Sequence, residues 1–139
     1  MEDRYVLGII SDETLENFAL IKKNRPDYQA GLLNGIGGKL REPDDTYLKV
    51  LTQKAKTEAS LETSYDDWSS IGHIASQKEG LYYIEVYHTV VTDLSQLSST
   101  TDEELHIVSK DIIRQGNSLA PLLENILVSI RHQRANKAI

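Results

Sequence analysis

Carboxylates and glycines mark the part of this 139-residue chain best suited to chemistry. Glu58 and Glu62 stand four residues apart, so a helix would place them on one face. Glu42, Asp44 and Asp45 precede them, and Asp102, Glu103 and Glu104 form a second acidic run far along the chain. Carboxylate oxygens are the ligands of hard divalent cations, which polarise a phosphoryl group and orient water. A run of solvated acidic loop residues is the competing reading. Upstream, "GLLNGIGGKLREPDDT" (Gly31 to Thr46) holds four of the eight glycines. Glycine lets a backbone come close to a helix start or a phosphate. Lys22, Lys23 and Arg25 form a small basic cluster nearby. Phosphate contact and a solvated strand end fit that cluster equally well.

Other chemistries find less support. Cysteine is absent, which removes disulfides, thiolate metal sites and a cysteine nucleophile. His73, His88, His106 and His132 form neither an HExxH motif nor a close pair, so a zinc site is not expected. No G-x-S-x-G nucleophile elbow occurs. "GIGGK" is not a P-loop: Leu33 stands where its first glycine belongs, and Leu40 follows Lys39. Trp68 suits either a core plug or stacking on a base. The net charge of −6 disfavours non-specific nucleic-acid binding, but a local pocket can still attract a small anion.

Positioning these residues requires a folded scaffold. Hydrophobic residues make up 40% and charged residues 26%, ordinary values for a globular chain. No repeat or linker-like break interrupts it, so residues 1–139 read as a single domain. Neither a signal peptide nor a spanning segment is recognisable, and a cytoplasmic location is the expectation. Strands are predicted at Arg4–Ser11 and Phe18–Asn24, paired as a hairpin, and around Ile71–Ala75, Gly80–Thr92 and Leu105–Ser109. A short, glycine-interrupted strand is predicted in "LLNGIGGKL". A helix is predicted over Thr46–Glu62, with Asp45 or Thr46 as its N-cap and Leu48, Leu51, Ala55 and Ala59 facing the core. A last helix, Ser118–Arg134, would bury Leu122, Leu123, Ile126, Leu127 and Ile130. On strand Gly80–Thr92, Tyr83 and Tyr87 share one face while Tyr82 joins Ile84, Val86 and His88 on the other. The order gives an α+β fold, a mixed sheet covered by helices rather than repeating βαβ units.

The segment Asn34-Gly35-Ile36-Gly37-Gly38-Lys39, the acidic turn "EPDDT", the helix after it and the tail "TDEELHIVSKDI…SLAPLLENILVSI" resemble the Nudix hydrolases over nearly the whole chain. That resemblance implies an α/β/α sandwich with a Nudix-box helix and a C-terminal helix. It implies metal-dependent cleavage of nucleoside diphosphate derivatives, with Mg²⁺ or Mn²⁺ held by helix glutamates. It also implies a small nucleotide-like ligand, and a homodimer, since many members are dimers. Carried over residue by residue, only Glu58 matches a family ligand, as catalytic carboxylate and metal ligand; Glu103 and Glu104 lie where the family often places an extra catalytic carboxylate, and Glu62 and Asp45 are non-standard carboxylates that could complete the metal site. Gly37, Gly38, Lys39, Arg25 and Asn34 become substrate-binding residues. The helix departs from the family pattern. Gln53 stands for its Arg, Lys54 for its first Glu, Thr57 and Glu58 for its Glu pair, and Ser60 for its Gly. A charged lysine cannot ligate metal. Lys54 and Glu58, at i and i+4, can pair, worth roughly 0.3–0.5 kcal/mol if exposed. The expectation is a Nudix fold with weak or lost hydrolysis and a retained nucleotide-binding or regulatory role. The alternative is an active Mg/Mn-dependent pyrophosphohydrolase using Glu58 and non-standard carboxylates.

Overall fold

The computed structural model describes residues 3–25, 27–76, 81–111, 119 and 123–137. The strands are β1 (Asp3–Ser11), β2 (Asn17–Lys22), β3 (Leu33–Asn34), β4 (Ile36–Lys39), β5 (Ser69–Ser76), β6 (Tyr82–Val90) and β7 (Leu105–Ser109). The helices are α1 (Tyr47–Ala59) and α2 (Leu123–Lys137). These strands form one sheet with the path β3-β2-β1-β6-β5, while β4 also pairs with β1 and β7 with β2. β1 and β6 run parallel from Asp3↔Tyr82 to Ser11↔Val90; the other described strand pairs are antiparallel, and an isolated parallel bridge joins Leu33 to Leu119.

Alternation along the central strands explains the layers. Side chains of a strand point to opposite faces in turn, so a strand apolar throughout must be covered on both sides. From β1, Val6 and Ile10 enter an apolar cluster with Val50, Leu51, Ala55 and Ala59 of α1. Leu7 and Ile9 enter the opposite cluster, with Leu123, Ile126, Leu127 and Ile130 of α2. β6 divides the same way, Val86 toward α2 and Tyr87 toward α1. The result is the expected α/β/α sandwich. Each fully buried Ile, Leu or Phe in it contributes about 1.5–3 kcal/mol.

The element boundaries sharpen several expectations. The β1–β2 hairpin forms, its turn held by Asp12, whose carboxylate accepts from Glu16 N, Asn17 N and Asn17 Nδ2. The second strand ends at Lys22, two residues before the predicted Asn24, because Lys23 N donates to Leu32 O and Asn24 N to Glu103. Thr46, not Asp45, is the side-chain cap of α1: its Oγ1 accepts from Lys49 N at 3.1 Å. The helix stops at Ala59 rather than Glu62, since Ser60 adopts the left-handed conformation (φ 54°). Trp68 is a core residue, 6% exposed, with Nε1 donating to Thr63 Oγ1. Strand β5 extends one or two residues beyond the predicted Ile71–Ala75, and β6 falls two residues short of the predicted Gly80–Thr92 at each end. Gly80, and Ser118 and Leu122 of the predicted last helix, lie outside the described residues.

Candidate functional site

The glycine segment forms the seam between the sheet and α1. An added Cβ at Gly37 would lie 2.0 Å from Val6 O, so only glycine lets β4 lie this close to β1. Gly38 performs the same service toward the helix: a Cβ there would meet Lys54 Cε at 2.8 Å. The lysine stem thus rests against bare backbone. Gly37 N–H donates to Glu58 Oε1 at 3.0 Å, tying strand to helix.

A second loop brings in the late acidic run. Residues 98–100 dock on the end of α1, where helix carbonyls lack intrahelical partners. Ser98 N donates to Ala59 O, and both Thr100 N and Thr100 Oγ1 donate to Thr57 O, at 3.1, 2.8 and 2.7 Å. That docking delivers Glu103 to the neighbourhood of Glu58. Glu103 is buried and doubly held: Lys23 Nζ lies 3.1 Å from Oε1, and Asn24 N donates to Oε2 at 2.6 Å.

The two buried glutamates titrate in opposite directions. Burial is the largest influence on Glu58 and pushes its carboxyl above the ordinary value, although Gly37 N–H, Lys23 and Lys54 pull it back. Burial also opposes the charge of Glu103, but the Asn24 N–H and the Lys23 ammonium outweigh it and hold that carboxyl below its ordinary value. No direct Lys54–Glu58 ion pair forms among the described residues. Lys54 acts on Glu58 through space.

The structure thus gathers Glu58, Glu103, Gly37 and Gly38, together with Lys54 and Lys23. The remaining sequence candidates serve elsewhere. Asp45 accepts from Glu42 N and Arg41 N, each at 3.0 Å, and pairs with Lys49; these bonds, led by the one from Glu42, lower its carboxyl. Glu62 lies past the helix end with an exposed side chain 3.4 Å from Lys56, so it does not share a helix face with Glu58. Glu104 is exposed and contributes its carbonyl to Lys22 N–H. Arg25 pairs with Asp102 at 2.7 Å in solvent, and Lys39 with Asp3 at 3.2 Å. Asn34 closes its own turn, accepting from Gly35 N and donating to Gln29 Oε1. Lys23 is the participant that the sequence did not single out. Its only signal was membership of the basic cluster, because 80 positions separate it from Glu103.

The donor set does not fit a divalent cation. No group of three or more His, Asp or Glu able to hold a metal occurs among the described residues. Both Glu103 oxygens are already hydrogen-bonded, one of them to Lys23, and Lys54, which cannot ligate metal while charged, packs its stem against Gly38 one turn before Glu58. A separate open groove of about 790 Å³ is lined by Leu61, Ser69, His88, Ile130 and Gln133 among others; none of Glu58, Glu103, Lys23 or Lys54 lines it.

Solved structures share this architecture. MutT from the study of Aliivibrio salmonicida and Vibrio cholerae superposes with a TM-score of 0.75 at 14% identity, covering 96% of this chain and 99% of that one. The MutT protein of Methanosarcina mazei gives 0.70 at 20% identity, covering 98% and 96%. The NUDIX domain of Shewanella oneidensis NrtR, crystallised with ADP-ribose, gives 0.77 at 12% identity, covering 94% and 86%. No protein-family model matches the chain, and no curated protein matches it in sequence. The chain therefore has the Nudix fold, as its glycine segment and element order implied.

Proposed function

We propose that this chain is a Nudix-fold protein in which metal-dependent hydrolysis is weak or lost and a site for a nucleotide-like ligand is kept for binding or regulation. The observation that carries the proposal is the constellation of two carboxylates and two ammonium groups at the junction of β4, α1 and the 98–103 loop. Three clustered carboxylates attract a divalent cation; a cluster balanced by lysines does not. The intact glycine seam supports the second half of the reading. ADP-ribose, the ligand of the Shewanella neighbour, is the first nucleotide to try.

One observation favours an active enzyme instead. Glu58 is buried and burial raises its carboxyl above the ordinary value, the direction that suits a general base. On that reading Glu58, with Glu103 or Glu104, would run an Mg²⁺- or Mn²⁺-dependent hydrolysis. Incubation with a panel of nucleoside diphosphate derivatives and either metal decides between them. We expect no phosphate product above background. Metal-dependent turnover abolished by Glu58→Gln would establish the active enzyme.

A further inference from the structure

Lys54 is a half-buried cation whose ammonium makes no hydrogen bond or ion pair with any described residue. The other charges of the cluster are differently placed. Lys23 and Glu103 neutralise each other directly, and Glu58 spends one oxygen on Gly37 N–H. Its charge acts on the Glu58 carboxylate only through space, so among the described residues its three N–H donors remain open to a further anion. That position is set on two sides. The helix fixes the Cα one turn before Glu58, and the missing side chain of Gly38 fixes the stem, with Nζ 3.6 Å from where a Cβ would stand. Gly38 and Lys39 are themselves only partly buried, so the ammonium lies beside backbone that solvent reaches.

We propose that Lys54 is the anion-binding residue of this site and that it takes a diphosphate group without any metal ion. The inference rests on the reading that the constellation does not hold a divalent cation. The chemistry needs no metal: a lysine ammonium binds phosphate oxygens as a point charge with three donors. Lys54 thereby supplies the positive charge that a cation would bring, and Lys23, locked to Glu103, keeps that carboxylate from opposing it. The diphosphate can be free or carried by a nucleotide.

Calorimetric titration of the full chain with inorganic pyrophosphate and with ADP-ribose, each in EDTA and each with excess Mn²⁺, tests this. Binding is expected in EDTA. Lys54→Gln should weaken it at least tenfold, whereas Lys54→Arg should keep it within about threefold. Comparable affinity for both probes assigns the site to the diphosphate itself; binding of ADP-ribose alone assigns it to a nucleotide-borne diphosphate. Both outcomes support the proposal. Unchanged binding by Lys54→Gln overturns it, and so does binding of neither probe, which leaves the loss of metal-dependent hydrolysis standing. Binding only with Mn²⁺ overturns both. A measurement on the unsubstituted chain removes dependence on variants that fail to fold. In EDTA, pyrophosphate should slow chemical acetylation of Lys54 at least threefold and leave the exposed Lys56 unchanged; equal rates at Lys54 with and without pyrophosphate contradict the proposal.

Discussion

Glu58 and Glu103 carry the same functional group, and their surroundings give them opposite effects on stability. The folded state holds Glu103 below its ordinary pKa. Its contribution is therefore complete above that ordinary value and is lost as pH falls through the folded value, from about pH 5 downward. Replacing it with Gln strands Lys23, whose side chain is 20% exposed. Glu103→Gln should cost about 2 kcal/mol at pH 7, less than the roughly 3–5 of a fully buried pair, and should flatten the acid limb of stability measured in urea. Glu58 is held above its ordinary value. Its favourable contribution is present below that ordinary value and is lost as pH rises through the folded one, so at pH 7 its charge works against the fold. Glu58→Gln keeps an oxygen for Gly37 N–H and removes that charge. It should leave stability at pH 7 unchanged or raise it by up to about 1 kcal/mol, the net scale of a single hydrogen-bond exchange. A loss above about 1 kcal/mol in urea titration would show that the carboxylate is better compensated than its neighbours suggest. The sequence identified Glu58 by its place in a motif. It could not show that Glu103 and Lys23 meet, because a contact across 80 positions is a property of the closed sheet.

At the level of elements, β4 and α1 form one unit. Gly37 fits against the Val6–Leu7 backbone of β1 only without a side chain. Gly37→Ala would drive a methyl group into the Val6 carbonyl and pull the Gly37 N–H from Glu58, so chemical denaturation should show a loss of about 3 kcal/mol, the upper end of overpacking costs. The glycine run, a cap at Asp45 or Thr46 and the apolar face Leu51–Ala55–Ala59 were legible in sequence because each is a local signal. The end of the helix was not. Nothing in "EASLE" forbids another turn; Ser60 turns left-handed because its Oγ donates to Ser98 O and its own N–H and that of Leu61 reach back to Ala55 O. That tertiary stop removes Glu62 from the helix face on which sequence spacing had placed it. Local signals likewise proposed Asp45 as a metal ligand, whereas its two backbone partners and Lys49 occupy it in the turn before α1.

Across the whole molecule, the sheet is apolar on both faces and each helix covers one. Runs such as "VLGII" and "FALI" made that arrangement readable, since no half-exposed strand can carry them. The neighbours among solved structures confirm the same fold at 12–20% identity. A fold this widely shared does not fix chemistry, which depends on the side chains mounted on it. Here the shared frame carries lysines at the seam, and the central claim is that the seam no longer holds a divalent cation. Titration of the unsubstituted chain with Mn²⁺, followed by the loss of the free-ion paramagnetic resonance signal, measures this directly. The account predicts no site tighter than about millimolar. A micromolar site that disappears in Glu58→Gln would contradict it.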